Sequence, residues 1–435
     1  MRINLIYKGS WTFYVALFAL LLPVFLLGYH LFQATDGKFS LPHDDAFLQL
    51  STAKTLAFSH IWGISKYNFE AASPSLLYPL VLAVAFFIFG AHIVVAILVN
   101  TALGIVLLIC IDKWLKRNGI RPLTQLFILL AVILLSPLPL MVMYGMERTL
   151  LLLLAFLTVS RLFDEWDQPA FSRRTLIYSA LLVATSYEGL LLIVVACVLL
   201  IWQHKWSRIF ELILWALLPM IIFGFIALSK GAYFFPTPWI IASGAQFSYD
   251  WLIGCGIAVM VPLLSRTRAA QRPAQWMVAS AGVLIILLFT RNVYAARDLS
   301  RSSIGVFRQE YHVGQFIHLY YNKFSIISDD IGILSYVTEG KYLDLTKVNP
   351  GLIHLMSLQS FRIAIVSDTY EHSMPEEWTK AVSWNIPGRD PKTIFFFTKE
   401  PYAAEYLIAR MKEYSYFLPQ EITIQYFYIP TKQAE

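Results

Sequence analysis

Up to Arg291 the sequence alternates long apolar runs with short polar loops, and beyond it the apolar runs shorten and spread apart. A helix needs about 20 apolar residues to cross bilayer hydrocarbon, with roughly 17–25 tolerated. Runs near that length predict spans over residues 12–33, 92–112, 124–144, 147–163, 174–187, 188–203, 209–229, 250–264 and 274–291. The adjoining pair 174–187 and 188–203 is short and meets at Ser186-Tyr187-Glu188-Gly189. Broken helices are tolerated at that depth where they line a cavity.

The run Ser75–Gly90 is apolar but follows Pro74, ends on glycine and falls short of a spanning length. Basic residues decide how to read it, because Lys and Arg concentrate in cytoplasmic loops. If this run lies in the outer interface as a juxtamembrane helix, fourteen cations face inward. They are Arg2 and Lys8; Lys113, Lys116, Arg117 and Arg121; Arg161, Arg173 and Arg174; Lys205 and Arg208; and Arg266, Arg268 and Arg272. Only Lys38, Lys54, Lys66, Arg148 and Lys230 then face outward. The bias predicts nine spans with the N-terminus inside. No small-residue cleavage site follows the first run, so it reads as an uncleaved span.

Residues 292–435 carry separated β-like runs, Phe324–Ser328, Phe361–Ser367, Thr393–Thr398 and Ile422–Ile429, with a helical stretch over Tyr402–Tyr414. The expected fold is a polytopic α-helical membrane domain over 1–291, followed by an extracytoplasmic α/β domain over 292–435. Composition agrees: 57% of residues are hydrophobic, 14% are charged and the mean hydropathy is +0.60. Soluble domains carry about 25% charged residues. The net charge of +6 is no nucleic-acid signal, since its cations sit in the loops between apolar runs. Cys110, Cys197 and Cys255 all fall in apolar runs, without metal-ligand spacing, and read as core filler.

On this topology the outer face collects acids from distant parts of the chain. Asp44 and Asp45 follow the first span, Glu70 precedes the juxtamembrane run, and Glu147-Arg148 and Tyr187-Glu188 occupy two later turns. Tyr233–Pro238 follows the seventh span. Paired carboxylates in apolar surroundings raise one another's pKa toward the range of a general base. The alternative for Asp44 and Asp45 is a helix N-cap, because the apolar-periodic run Ala46, Leu50, Ala53, Ala57 follows at once. Lys54 on the same helix could meet a lipid phosphate or simply snorkel. Glu147 and Glu188 suit sugar hydroxyls or interfacial solvation. His43 has no partner histidine at ligand spacing, so a divalent metal finds no support. Asp329-Asp330 and Asp344 read as strand-end caps.

Several of these stretches also resemble a known family. Asp44-Asp45-Ala46-Phe47-Leu48 with Ala53-Lys54-Thr55-Leu56-Ala57 is similar to the D-D-A-[YF]-I…A-R-N-L-A motif of GT-C-type glycosyltransferases, in the bacterial arabinofuranosyltransferase-like branch. Ala72–Leu80 resembles that branch's Thr-Ser-Pro-Leu-Trp run, and Gly145-Met146-Glu147 its G-[ML]-E. Tyr187-Glu188-Gly189 stands where Arg-Pro-[DE]-Gly is usual, and Tyr233–Thr237 resembles a Tyr-x-x-x-Leu-Pro-Asn-Thr loop. Asp330–Tyr336 with Tyr342–Leu345 is similar to an Asp-x-Gly…Tyr…Asp-Leu pattern. The sequence departs from the family at Ser51, where Arg is common, and at Ser186-Tyr187.

The resemblance implies a polyprenyl-phosphate-linked sugar donor, with D-arabinofuranose among the candidate sugars. The acceptor would be an envelope glycan, a lipid such as lipopolysaccharide, or an exported protein. Asp44 would be the base, Asp45 its catalytic neighbour, and Lys54, Glu147, Arg148, Tyr187, Glu188 and His43 the donor-binding residues. The place would be the bacterial cytoplasmic membrane, among its lipids, with the site facing outward. A flippase or transporter for lipid-linked sugars, or a lipid-linked glycan polymerase or ligase, stands as the alternative.

Overall fold

The computed structural model describes residues 10–236, 275–347, 361–387 and 391–428. The anticipated span 250–264, Cys255 and the end of the Tyr233–Pro238 loop lie outside them. The chain forms two compact units. One comprises Met1–Leu41 with Ser73–Ser302, the other Pro42–Ala72 with Ser303–Glu435.

The first unit is helical: α1 Trp11–Ala34, α3 Leu77–Phe89, α4 Ile93–Arg117, α5 Pro122–Leu135, α6 Leu138–Met143, α7 Arg148–Asp164, α8 Arg173–Thr185, α9 Gly189–Trp202, α10 Trp206–Ser229 and most of α11 Gln275–Val306. Three of these, α1, α4 and α10, are long and apolar enough to cross a membrane. At 1.5 Å per residue each is roughly 36 Å long, against about 30 Å of hydrocarbon. Their apolar side chains largely point away from the protein: Phe18, Phe25, Leu98, Phe210 and Phe225 are all exposed. In water this would be costly, and in lipid it is the expected outer surface.

The remaining apolar runs form shorter helices. The run 124–144 is divided at Ser136-Pro137 into α5 and α6, since proline cannot continue a helix. The junction anticipated at Ser186–Gly189 is a true break between α8 and α9. The juxtamembrane run is α3, whose 13 residues cover roughly 20 Å. The bundle core is Phe13, Leu20, Leu107, Trp114, Leu129, Met141 and Phe156 from α1, α4, α5, α6 and α7. Arg291 and Asn292 of α11 donate to the carbonyls of Leu135 and Leu134 at the open end of α5.

The second unit is built on a six-stranded sheet: β1 Ile326–Ser328, β2 Tyr342–Asp344, β3 Ile363–Ser367, β4 Thr379–Ile386, β5 Lys392–Thr398 and β6 Thr423–Tyr426. Their order is β2-β1-β3-β5-β4-β6. β1 pairs parallel with β2 and β3, and the other pairings are antiparallel. A π-turn, Phe307–Tyr311, leads into α12 His312–Tyr321; α13 Gly332–Val337 follows β1, and α14 Pro401–Tyr414 follows β5. Phe316, Trp384, Phe396, Leu407 and Met411 fill the core between helices and sheet.

The second unit also holds α2, Asp44–Ser59, which sequence reasoning assigned to the membrane domain. The boundary expected at 291/292 therefore differs over two stretches: residues 42–72 fall in the second unit and residues 292–302 in the first. α2 buries Ala46, Phe47, Leu50 and Ala53, and it packs on α13. There Ser51 and Ser335 hydroxyls meet at 2.8 Å, and Phe47 lies against Tyr336.

Candidate functional site

α2 begins directly at the acid pair. His43 is its N-cap residue, with an extended backbone and no side-chain capping bond, so Asp44 and Asp45 occupy the first turn. The expected Asp N-cap is thus displaced by one residue. Both acids still sit at the helix end where backbone N–H dipoles favour negative charge. Being consecutive on a helix, they point different ways: Asp45 and His43 are exposed, while Asp44 turns into the unit.

Three other elements meet Asp44. Glu310 comes from the π-turn, Asp330 from the end of β1 and Lys392 from the start of β5. Carboxylate oxygens of Asp44, Glu310 and Asp330 lie within 4.8 Å of one another. Lys392 Nζ is 3.0 Å from Asp330 Oδ2 and 4.0 Å from Glu310 Oε1. Gly332, two residues after Asp330, is essential to this arrangement, because any β-carbon there would run into the Asp44 carboxylate.

Burial, and then the Asp330 charge beside it, push the Asp44 carboxyl well above the usual carboxylate range. Glu310 moves the same way for the same two reasons. Asp330 is buried too, which alone would raise it. The Lys392 ammonium and hydrogen bonds from Glu310 and Asp44 outweigh that and hold it below its ordinary value. Lys392, despite burial, is kept charged by Asp330 and Glu310. The group therefore contains one ion pair and two carboxyls whose affinity for a proton is raised. Its oxygen spacing would let a divalent cation bridge the acids, but the Lys392 ammonium already brings positive charge to that place.

A cavity of about 20 Å³ adjoins the group, lined by Glu310, Asp329, Asp330, Ser367 and Lys392 among others. That is room for about one water, and far too little for a sugar. Asp329 does act as a strand-end cap, accepting from the Ser367 backbone N–H at 3.1 Å and from its hydroxyl. Asp344 caps likewise, accepting from Thr346 N–H at 3.0 Å. Lys54 donates to the Tyr336 carbonyl at 2.7 Å and lies 5.5 Å from that ring, which ties its ammonium to α13.

The other anticipated residues belong to the first unit. Glu147 is buried at the start of α7, after Gly145, whose φ of +69° suits glycine. Asn100 donates to the Met146 carbonyl at 3.0 Å and Tyr78 to the Gly145 carbonyl at 3.1 Å, fixing this turn. Glu188 stands at the start of α9 within electrostatic reach of both Glu147 and Arg148. Arg148 lies 5.2 Å from the Tyr144 ring. Two turns separated in sequence thus bring Glu147, Arg148, Tyr187 and Glu188 into one neighbourhood.

No family model, curated protein or solved structure matches the chain. The geometry has to carry the functional reading.

Sequence reasoning had treated Asp330 as a cap and passed over Glu310 and Lys392. The Asp330-Ile331-Gly332 spacing was the available signal, since a glycine there leaves space beside an acid. Glu310 gave none. It lies in a mixed polar stretch, and only the π-turn, a feature frequent at functional sites, turns it inward.

Proposed function

We propose that the chain is a membrane glycosyltransferase that moves a monosaccharide from a polyprenyl-phosphate donor to an acceptor hydroxyl, with Asp44 as general base. The observation that carries this reading is the surroundings of Asp44. It is half-buried at the start of α2, keeps one buried carboxylate oxygen without a hydrogen-bond partner, and faces two further acids. A carboxyl made more basic in this way takes a proton from an alcohol more readily than an ordinary surface aspartate.

In the proposed step the acceptor oxygen forms a bond to the anomeric carbon while the bond to the lipid phosphate breaks. The hydroxyl proton passes to Asp44, and the phosphate leaves with the electron pair. Lys54, on the same helix as Asp44, is suited to meet the phosphate charge. Spanning-length helices support a membrane protein, the inward bias of basic loop residues supports the acids facing outward, and the bacterial cytoplasmic membrane rests on the resemblance alone. The sugar reading, arabinofuranose included, rests on the ordered motifs alone.

The test is single-turnover transfer by protein in nanodiscs, offered polyprenyl-phosphate arabinose, mannose or glucose with crude envelope acceptors. Removing a general base costs on the order of 10²–10⁴ in rate, so Asp44→Asn should lose that much with donor binding retained. Transfer that continues unchanged in both Asp44→Asn and Asp45→Asn sinks the assignment. Loss of lipid-sugar flipping with transfer intact would favour the transporter reading.

A further inference from the structure

The sheet of the second unit separates its charges along the three parallel strands. At their carboxyl ends stand Asp344 on β2, Asp329 and Asp330 after β1, and Asp368 after β3. Their amino ends carry the opposite sign. Lys341 immediately precedes β2, Arg362 immediately precedes β3, and Lys323 lies just before β1. Ile326 aligns with both Tyr342 and Ile363, so Lys341 and Arg362 fall on either side of Ser325. Neighbouring strands lie about 4.8 Å apart, which puts these two backbones roughly 10 Å apart across β1.

Two cations from the α2 stretch join them. Glu339, between α13 and β2, accepts from Lys66 Nζ at 2.6 Å and has Lys54 and Lys323 within electrostatic reach. The Tyr67 ring lies 5.8 Å from the Lys66 ammonium and 5.4 Å from that of Lys341. The loop holding Lys66 and Tyr67 is tightly built. The Thr55 hydroxyl donates to the Gly63 carbonyl, the Glu70 N–H donates to the Trp62 carbonyl at 2.9 Å, and a β-carbon on Gly63 would meet the Asn68 carbonyl oxygen. The cations Lys54, Lys66, Lys323, Lys341 and Arg362 thus share one surface with the acids Glu339 and Glu70, the second near Tyr342. This basic surface ends at β3. Beyond it, the end of β5 and the start of β4 bring Lys399 together with Glu400, Glu376 and Glu377.

Lys66, Lys323, Lys341 and Arg362 are exposed, and so are two aromatic rings of the same stretches, Tyr67 at 42% and Phe324 at 40%. Basic side chains mixed with exposed aromatic rings match the polar interface of an anionic bilayer. The chain also runs directly from this loop into α3, which begins at Leu77 and exposes Val84, Phe87 and Phe89. We infer that this basic surface docks on the anionic phospholipid headgroups of the bilayer that holds the first unit. The inference rests on the membrane character of the chain and is independent of glycosyl transfer.

Acetylation of lysines by acetic anhydride, read by mass spectrometry, tests this on the full chain in nanodiscs of phosphatidylcholine, alone or mixed with phosphatidylglycerol. Lys412, exposed on α14 and beside Tyr426 of the edge strand β6, is the internal reference. Relative to Lys412, the lysines Lys66, Lys323 and Lys341 should react about tenfold more slowly in the mixed discs. Salt near 1 M, where the screening length is about 3 Å, should abolish the difference. Lys341→Gln combined with Arg362→Gln changes two exposed side chains and should leave the melting temperature in place. It should weaken docking about thirtyfold, the equivalent of about 2 kcal/mol at about 1 kcal/mol for each basic residue, and Lys66 and Lys323 should regain most of their reactivity. Equal reactivity in the two kinds of disc overturns the proposal, as does shielding that survives in the variant or in molar salt. Shielding by heparin where phosphatidylglycerol gives none overturns it too, by making the partner a soluble polyanion.

Discussion

Two enclosed acids, one in each unit, have opposite electrostatics. Glu165 ends α7 in the helical unit, and Asp44 begins α2 in the sheet unit. Burial acts to raise both. Around Glu165 it loses: the Ser172 N–H, the Ser172 hydroxyl and the Thr175 hydroxyl donate at 2.8, 2.6 and 2.7 Å, and the carboxyl lies below its ordinary value. Around Asp44 burial wins, because its neighbours are Asp330 and Glu310, which add negative charge instead of donors. The lesson is that burial alone does not say what an acid is for. An acid surrounded by donors is fastened and fixes a loop, and one surrounded by acids is left able to exchange a proton.

The comparison breaks most sharply at Lys392. It supplies the positive charge of the Asp44 group, so Lys392→Met should leave Asp330 uncompensated and cost about 3–5 kcal/mol in chemical denaturation. Adding Asp330→Asn should recover much of that loss. Gly332→Ala crowds the Asp44 carboxylate and should cost about 1–3 kcal/mol, the range for overpacking a tight site. Glu165→Gln gives up charge-assisted hydrogen bonds and should cost about 1.5–3 kcal/mol.

The pH dependence of these variants should have opposite signs. Glu165, lower folded than unfolded, contributes stability that is present above its ordinary value of 4.5 and lost as pH falls through the folded value. Asp44, higher folded than unfolded, contributes stability that is present below its ordinary value of 3.8 and lost as pH rises through the folded value. As pH rises from 3.8, Asp44→Asn should therefore gain on the native chain, whereas Glu165→Gln should fall behind it as pH rises toward 4.5 and keep a constant deficit above that. Matching trends in denaturation midpoints would erase the distinction. The smallest effect belongs to Asp45→Asn, an exposed position where stability should move by no more than about 0.5 kcal/mol.

How much of this the sequence revealed depended on range. The break at Ser186–Glu188, the short helix α3 and strands β1, β3, β5 and β6 were legible, because apolar run length and local breakers define them. β4 was not, since Thr379–Ile386 mixes lysine, serine and asparagine into a strand that is central only because β5 and β6 cover its edges. For the site, the acid pair and the Gly145–Glu147 turn could be picked out from local pattern. Asp44's partners could not. They lie more than two hundred residues away, and no local periodicity encodes which distant acid a helix start will meet.

The membership of α2 in the sheet unit has a consequence for how the chain is made. The Ser51–Ser335 contact joins residues 284 apart, and α13 is synthesised long after α2. At about 5–20 residues per second, α2 waits on the order of ten to fifty seconds for its packing surface to exist. Throughout that interval Phe47, Leu50 and Asp44 are exposed on a segment flanked by apolar helices already made. Assembly of the acid group is thus a late event, gated by completion of the sheet, and the half-made protein holds Asp44 without Glu310, Asp330 and Lys392 around it. A truncation ending before β1 should leave residues 42–72 open to protease, whereas the finished chain closes them.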